Sequence, residues 1–338
     1  MDIGNDVQTT SGSPKPCESL WFPDGNVVIA TDTLLFKVHK GVLSLQSSVF
    51  KDMFELPIVE SGLENTQEGQ GTVGFTPELY EGLPLVGLAG DTGKDVEHLL
   101  RAVYERHYFR PERDDTDLDT VNTLLLLSKK YDFKHIQKDV VAHVLRHHPM
   151  SLEEQMKLKE IEYHHRKEWS VRHLKLLKAA VFADIDFLLP LIYYACSDYS
   201  IGDILRAAKL VQLDQGTLDT LIEGREEVGS MIRHFIAEVP FTTYIEFESN
   251  DCEREGSCLE EIRFFQLGDF FHSTSMKNLS TSDFFVFDRC RTDLCKLCRE
   301  AAEDAVDRER MYVWDRIPRC FGFPGWDVLR TKMEEFLK

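Results

Sequence analysis

The sequence contains no apolar run able to span a bilayer. Its most apolar stretch, residues 179–195, is broken by Asp184 and Asp186 and contains Pro190, so it is expected to form a pair of buried helices. Basic residues are scarce beside acids, 39 Lys and Arg against 58 Asp and Glu, for a formal net charge of −19. That balance argues against a general affinity for the nucleic-acid backbone or for anionic lipid, and neither is expected as a partner. Cysteine is sparse as well, 8 in 338 residues, far below the density of a disulfide scaffold. Residues 1–16 have neither a cationic n-region nor an apolar h-region, so no secretory signal is expected there. Reduced thiols in a cytoplasmic or nuclear setting follow. Catalytic signatures are missing too: there is no G-x-S-x-G, Walker loop, dinucleotide fingerprint or H-E-x-x-H, and the glycines of residues 87–90 lack the lysine of a phosphate loop. No enzymatic activity is expected.

With 43% apolar residues, the chain has the composition of a globular protein. Its length suits roughly two domains at ~150 residues each. Residues 1–18 read as a polar tail. The runs 26–30 and 33–38 are β-branched or aromatic around Thr31-Asp32, and Leu34, Phe36 and Val38 alternate, so a hairpin is predicted. The period then changes. Val42, Leu45, Val49 and Met53, widened by Leu43, Phe50 and Phe54, predict a helix ended by Pro57. Residues 59–78 read as a surface loop and 83–88 as a buried strand. Thr92 and Asp95 form a capping pair for a helix carrying Val96, Leu99, Leu100 and Val103. Helices over 118–130 and 134–146 follow. The whole of 19–146 is expected to be a small α+β domain with one half-covered sheet.

Residues 147–240 are helical by period, with stripes at Leu174, Leu177 and Val181 and at Ile201, Leu205, Ala208 and Val211. Residues 241–338 break into shorter pieces that hold most of the cysteines and close with an amphipathic helix over 326–337.

The cysteines carry the strongest chemical signal. Cys295 and Cys298 form a C-x2-C knuckle, a spacing that brings two thiolates to one metal from a tight turn. Cys252 and Cys258 lie upstream, and the two pairs can close a four-thiolate zinc site that staples a region poor in regular structure. Cys290 is an alternative member of the second pair, and plain buried thiols are the simpler reading of all of them. A thiol-redox reading of Cys295 and Cys298 requires the knuckle to open a helix. A zinc module that reads DNA is a further alternative, opposed by 16 acids against nine bases in residues 241–310.

Six of the twelve histidines fall between His143 and His173, in a segment (141–178) whose eight Lys/Arg exceed its five Asp/Glu. His143 and His147, at i and i+4, can chelate. A solvated helix end suited to the negative C-terminal dipole, or a basic patch that docks an acidic surface, are the other readings. Asp184 and Asp186 are too close in sequence to face one another on a helix and suit a turn.

Phe22-Pro23-Asp24-Gly25-Asn26-Val27-Val28, followed by Phe36-Lys37-Val38-His39-Lys40 and by Leu43, Ser48, Phe50, Met53 and Phe54, resembles the start of a BTB/POZ domain, most closely those of mushroom-forming fungi. Asn26 departs from the family pattern, which more often has an acid there. Downstream, Leu188-Leu189-Pro190 with Tyr193, Tyr194 and Cys196 resembles the family's Leu-Pro helix, and Ile222 to Glu226 its Gly-Arg-Glu segment. Trp314 to Pro318 and Phe321 to Trp326 resemble its closing motif. The resemblance implies a protein-interaction module that forms homodimers or docks a partner, in some relatives as a substrate adaptor on a cullin-family ubiquitin-ligase scaffold. It makes His39 a fold-defining residue, and places the interaction surface on the first helix (His39, Phe50, Met53, Phe54) and on the helices after Asp117. A strand-swapped dimer is not expected from so polar a segment before Leu20.

Overall fold

The hairpin forms as its alternation predicts. β2 (Val27–Ala30) and β3 (Leu34–Val38) pair antiparallel, with Val27 opposite Val38 and Ile29 opposite Phe36. Thr31 closes the turn, its hydroxyl donating to the Leu34 carbonyl at 2.8 Å and accepting from the Leu34 N–H at 3.1 Å. The structure, a computed structural model, describes residues 13–55, 78–158, 167–246, 252–254, 258 and 295–338.

β5 (Leu83–Gly87) lies parallel to β2, and β4 (Leu79–Tyr80) runs antiparallel to β5. β1 (Lys15–Trp21) pairs parallel with β3 and completes a mixed five-stranded sheet in the order β1-β3-β2-β5-β4. β2 is central, and Val27, Val28 and Ile29 are all buried, as a strand covered on both faces requires. The expected tail over 1–18 is therefore corrected from Lys15 onward, where the Lys15 N–H donates to the Thr33 carbonyl at 3.0 Å. A polar edge strand hides its periodicity: only Cys17 and Leu20 turn inward, and Pro16 is tolerated at the edge.

The single helix expected over 42–54 is two, α1 (Lys40–Gln46) and α2 (Ser48–Glu55). The break is Ser47, whose extended backbone stops α1. Its buried hydroxyl donates to the Tyr131 carbonyl and accepts the Phe50 N–H at 3.0 Å. The expected loop over 59–78 lies, apart from residue 78, outside the described residues. Thr92 caps α3 (Gly93–Tyr104), accepting the Asp95 N–H at 3.2 Å, as the sequence predicted. α4 (Leu118–Lys130) and α5 (Lys134–His147) follow. Leu43, Phe50, Leu99, Leu100, Leu124, Leu125 and Phe133 form the core. The fold is α+β, and the chain divides into two compact units, residues 1–141 and 142–338, with the division inside α5.

The second unit is helical over its described residues: α6 (Leu152–Lys157), α7 (Lys167–Ala183), α8 (Leu189–Ser197), α9 (Ile201–Val211), α10 (Gln215–Glu246), α11 (Lys296–Cys320) and α12 (Trp326–Leu337). Residues 179–195 give the end of α7 and most of α8; α8 is buried almost throughout, while Phe182 near the end of α7 is exposed. Asp184 occupies the turn between them at φ 57°, and the Asp186 carboxylate accepts from Lys332 Nζ at 2.7 Å. The stripe expected on α9 is corrected. Ile204, Ala207 and Ala208 face inward against α7, while Ile201 and Leu205 are exposed. Two alanines permit the close approach, a packing preference that apolar spacing alone does not reveal.

Three stretches far apart in sequence meet in this unit's core. Tyr193 on α8 stacks on Phe321 at 5.1 Å, and Tyr194 meets Trp314 edge-on at 5.6 Å. A Cβ on Gly224 of α10 would lie 2.1 Å from the Phe321 ring and 2.8 Å from the Cys320 carbonyl, so only glycine fits there. Arg225 Nε donates to the Ser197 carbonyl at 3.0 Å. Trp314 and Trp326 stack at 5.4 Å, with the Trp326 indole N–H on the Trp314 carbonyl at 2.8 Å.

Candidate functional site

Cys252, Cys258, Cys295 and Cys298 converge. All four are buried, and their sulfurs lie within 4.8 Å of one another. Among the described residues, no other group of three or more His, Cys, Asp or Glu side chains gathers in this way. Cys295 is the N-cap of α11 and Cys298 sits in its first turn, so the C-x2-C spacing becomes a turn that points both sulfurs the same way. Cys252 starts a short turned segment, and Cys258 approaches close enough for its sulfur to accept the Cys295 backbone N–H at 3.2 Å. The alternative ligand Cys290 lies outside the described residues.

Four thiols at this separation cannot ionise independently. For Cys258, burial and then the neighbouring thiols push the pKa up, the Cys295 N–H opposing them. Burial and the neighbouring thiols push Cys298 far up. Burial also acts upward on Cys295, but the backbone N–H groups of Cys298 and Glu253 and the Cys298 and Cys258 thiols together outweigh it, and its pKa falls. Thiolates so close together repel one another, and a divalent cation among them would offset that repulsion. A tetrahedral metal with bonds of ~2.3 Å to sulfur sets its ligands about 3.8 Å apart, which this spacing accommodates. A metal held by all four sulfurs would have no open position for water or substrate.

The redox reading has part of its required context, since the knuckle does open a helix. Its thiols, however, are all buried, whereas an exchanging thiol needs access to its partner disulfide.

The histidines do not form a solvated helix end. His143 is buried and stacks on His147 with centroids 4.7 Å apart, while His148 meets His173 edge-on at 6.0 Å. His173 Nδ1 lies 2.7 Å from the Tyr199 hydroxyl. His148 keeps part of its surface in water, yet crowding by protein atoms, with the other three histidines nearby, lowers its pKa to about 3. The four rings pack against one another as an aromatic cluster.

In the first unit, the two halves of the N-terminal motif meet. Phe22 stacks on Tyr104 at 4.9 Å and lies 5.2 Å from the His39 ring. His39 Nε2 is 3.2 Å from the Asp24 carboxylate, and its backbone N–H donates to the Tyr104 hydroxyl at 3.0 Å. Asn26 Oδ1 accepts the Lys40 N–H at 2.8 Å, joining strand to helix. Of the four residues expected to face a partner, Phe50 is corrected: it is 0% exposed, packed among Phe54, Tyr131 and Phe133, and serves the core. His39 is held in the junction, and Met53 and Phe54 are half-buried. Leu45, read from its spacing as part of the buried stripe, is instead 86% exposed on α1. Leu43 takes the buried side of α1, and Leu45, two positions on, faces away from it.

Scans of protein-family models, of curated proteins and of solved structures returned no match to this chain. No helix among the described residues is long and apolar enough to cross a membrane.

Proposed function

We propose that the chain is a protein-interaction module whose first unit acts as a BTB/POZ-like domain and whose second unit is stapled by one zinc ion on Cys252, Cys258, Cys295 and Cys298. The observation that carries the first part is the junction of Phe22, Asp24, Asn26, His39 and Lys40. The residues that carry the family likeness are those that lock hairpin to helix, so they act as one structural device. The zinc assignment rests on the four converging, buried sulfurs.

The metal's role is structural. Bridging Cys258 to Cys295 closes a loop spanning 37 positions, and a cross-link of that length removes about 4 kcal/mol of chain entropy from the unfolded state. The surface offered to a partner is the α1–α2 face with Leu45, Met53 and Phe54, fitting either a second copy of the chain or a cullin-family scaffold.

Sedimentation of the full chain with and without Leu45→Glu tests the interaction role. Self-association lost in the variant, or co-purification of a cullin with the parent but not the variant, supports it. A parent chain that stays monomeric and captures no cullin under all conditions removes it.

A further inference from the structure

The start of α11 is built against the usual rules. Its N-cap, Cys295, makes no side-chain oxygen cap, and the first turn holds no acid. Instead Lys296 and Arg299 stand there, cations at the positive end of a 25-residue helix. Placed so, each basic residue costs the helix what an acid would contribute. Lys296 has partial relief from Glu300 at 3.8 Å, a loose and exposed pair. The Arg299 Nε is buried and finds no acceptor among the described residues. α3 and α9 start differently, with Thr92 and Ser200 as caps and Asp95 and Asp203 in the first turn, whereas α1, like α11, has neither a side-chain cap nor an acid there.

An anion at the start of α11 resolves all of this. Four thiolates and one zinc(II) carry a net charge of −2, and Cys295 and Cys298 place that charge on the first turn. We infer that the zinc–thiolate centre is itself the N-terminal cap of α11, and that Lys296 and Arg299 are its counter-charges. The inference rests on the zinc reading above. Its consequence is that metal occupancy governs the start of the helix, while the far end is held by Val313, Trp314 and Ile317, all buried.

The test uses the full chain, loaded with zinc and then stripped by a chelator, with amide hydrogen exchange as the readout. Protection is expected to fall over residues 296–301 on stripping and to persist over 313–320. Two variants give a readout that mere packing would not move. In Lys296→Asp, zinc affinity measured against a competing chromophoric chelator is expected to fall about tenfold, the lower end of the effect of outer-sphere partners on metal sites. The same substitution is expected to raise protection at the start of the stripped helix, because the acid replaces the missing anion. Arg299→Gln is expected to weaken zinc without that gain. Unchanged affinity in both variants, or uniform exchange along α11 after stripping, overturns the cap. If the parent chain binds no zinc at all, the zinc reading fails first, and this inference with it.

Discussion

The backbone N–H of Cys295 donates to the sulfur of Cys258 at 3.2 Å, across 37 positions of sequence. A neutral thiol is a weak acceptor, whereas a metal-bound thiolate is a good one, so the proposed zinc centre would strengthen this bond. Cys258→Ser and Cys295→Ser are each expected to abolish stoichiometric zinc binding. They should lower the stability of the second unit by about 4 kcal/mol, the loop-closure contribution. Denaturant titration followed by circular dichroism, beside a zinc assay of the same samples, checks both. Full zinc retention in Cys258→Ser contradicts the ligand set.

The contact of Gly224 with Phe321 gives a second prediction. Gly224→Ala places a methyl 2.1 Å from the ring, a separation that atoms do not tolerate. Strain of about 1–3 kcal/mol is expected from overpacking, against a gain below 1 kcal/mol from helix propensity. Thermal melts should show a clear loss for Gly224→Ala and little change for Gly216→Ala, where the nearest atom is the Asp214 carboxylate at 3.5 Å.

Phe50 and Leu45, five residues apart, should behave oppositely. Phe50→Ala removes a ring with 0% exposure and is expected to cost about 3–5 kcal/mol. Leu45→Ser, at 86% exposure, should stay within about 0.5 kcal/mol and change association alone. Chemical denaturation of dilute protein separates the two.

The histidine cluster predicts a pH dependence of definite sign. In the unfolded chain an imidazole takes up its proton near pH 6.5, whereas in the fold His148 does so only near 3. Above the unfolded value both states are neutral and stability is complete. As pH falls below it, the unfolded chain binds a proton that the fold refuses. Stability then declines by up to about 1.4 kcal/mol per pH unit. His148→Gln should flatten that slope between pH 5 and 6.5, measured as the difference from the parent so that contributions from carboxylates and thiols cancel. A slope unchanged by the substitution contradicts the neutral, enclosed histidine.

Much of the first unit was legible because period carries strand and helix so directly: β2, β3, β5, α3, α4 and α5 follow from alternation, from 3.6-residue spacing and from Thr92. β1 escaped because an edge strand needs only two inward residues. The α1–α2 break escaped because Ser47 ends a helix through a bond to Tyr131, 84 positions away, which no local window contains. On α9 the alanines decided the buried face, and small residues weigh little in an apolar count. The four-cysteine cluster was legible as a residue set, since C-x2-C marks its own geometry. That Cys252 and Cys258 approach Cys295 and Cys298 depended on tertiary structure. The stretches 188–196, 222–226 and 314–326, singled out separately in the sequence, meet through the packing of Tyr193, Gly224 and Phe321.

Native mass spectrometry of the full chain, made without added metal, tests the account most directly, because one spectrum reports metal content and subunit count. The account predicts a mass shift of one zinc ion per chain, lost together with four protected thiols when a chelator is added, in species that include a dimer or a complex with a captured partner. A metal-free monomer whose cysteines all react freely with a thiol reagent would contradict it.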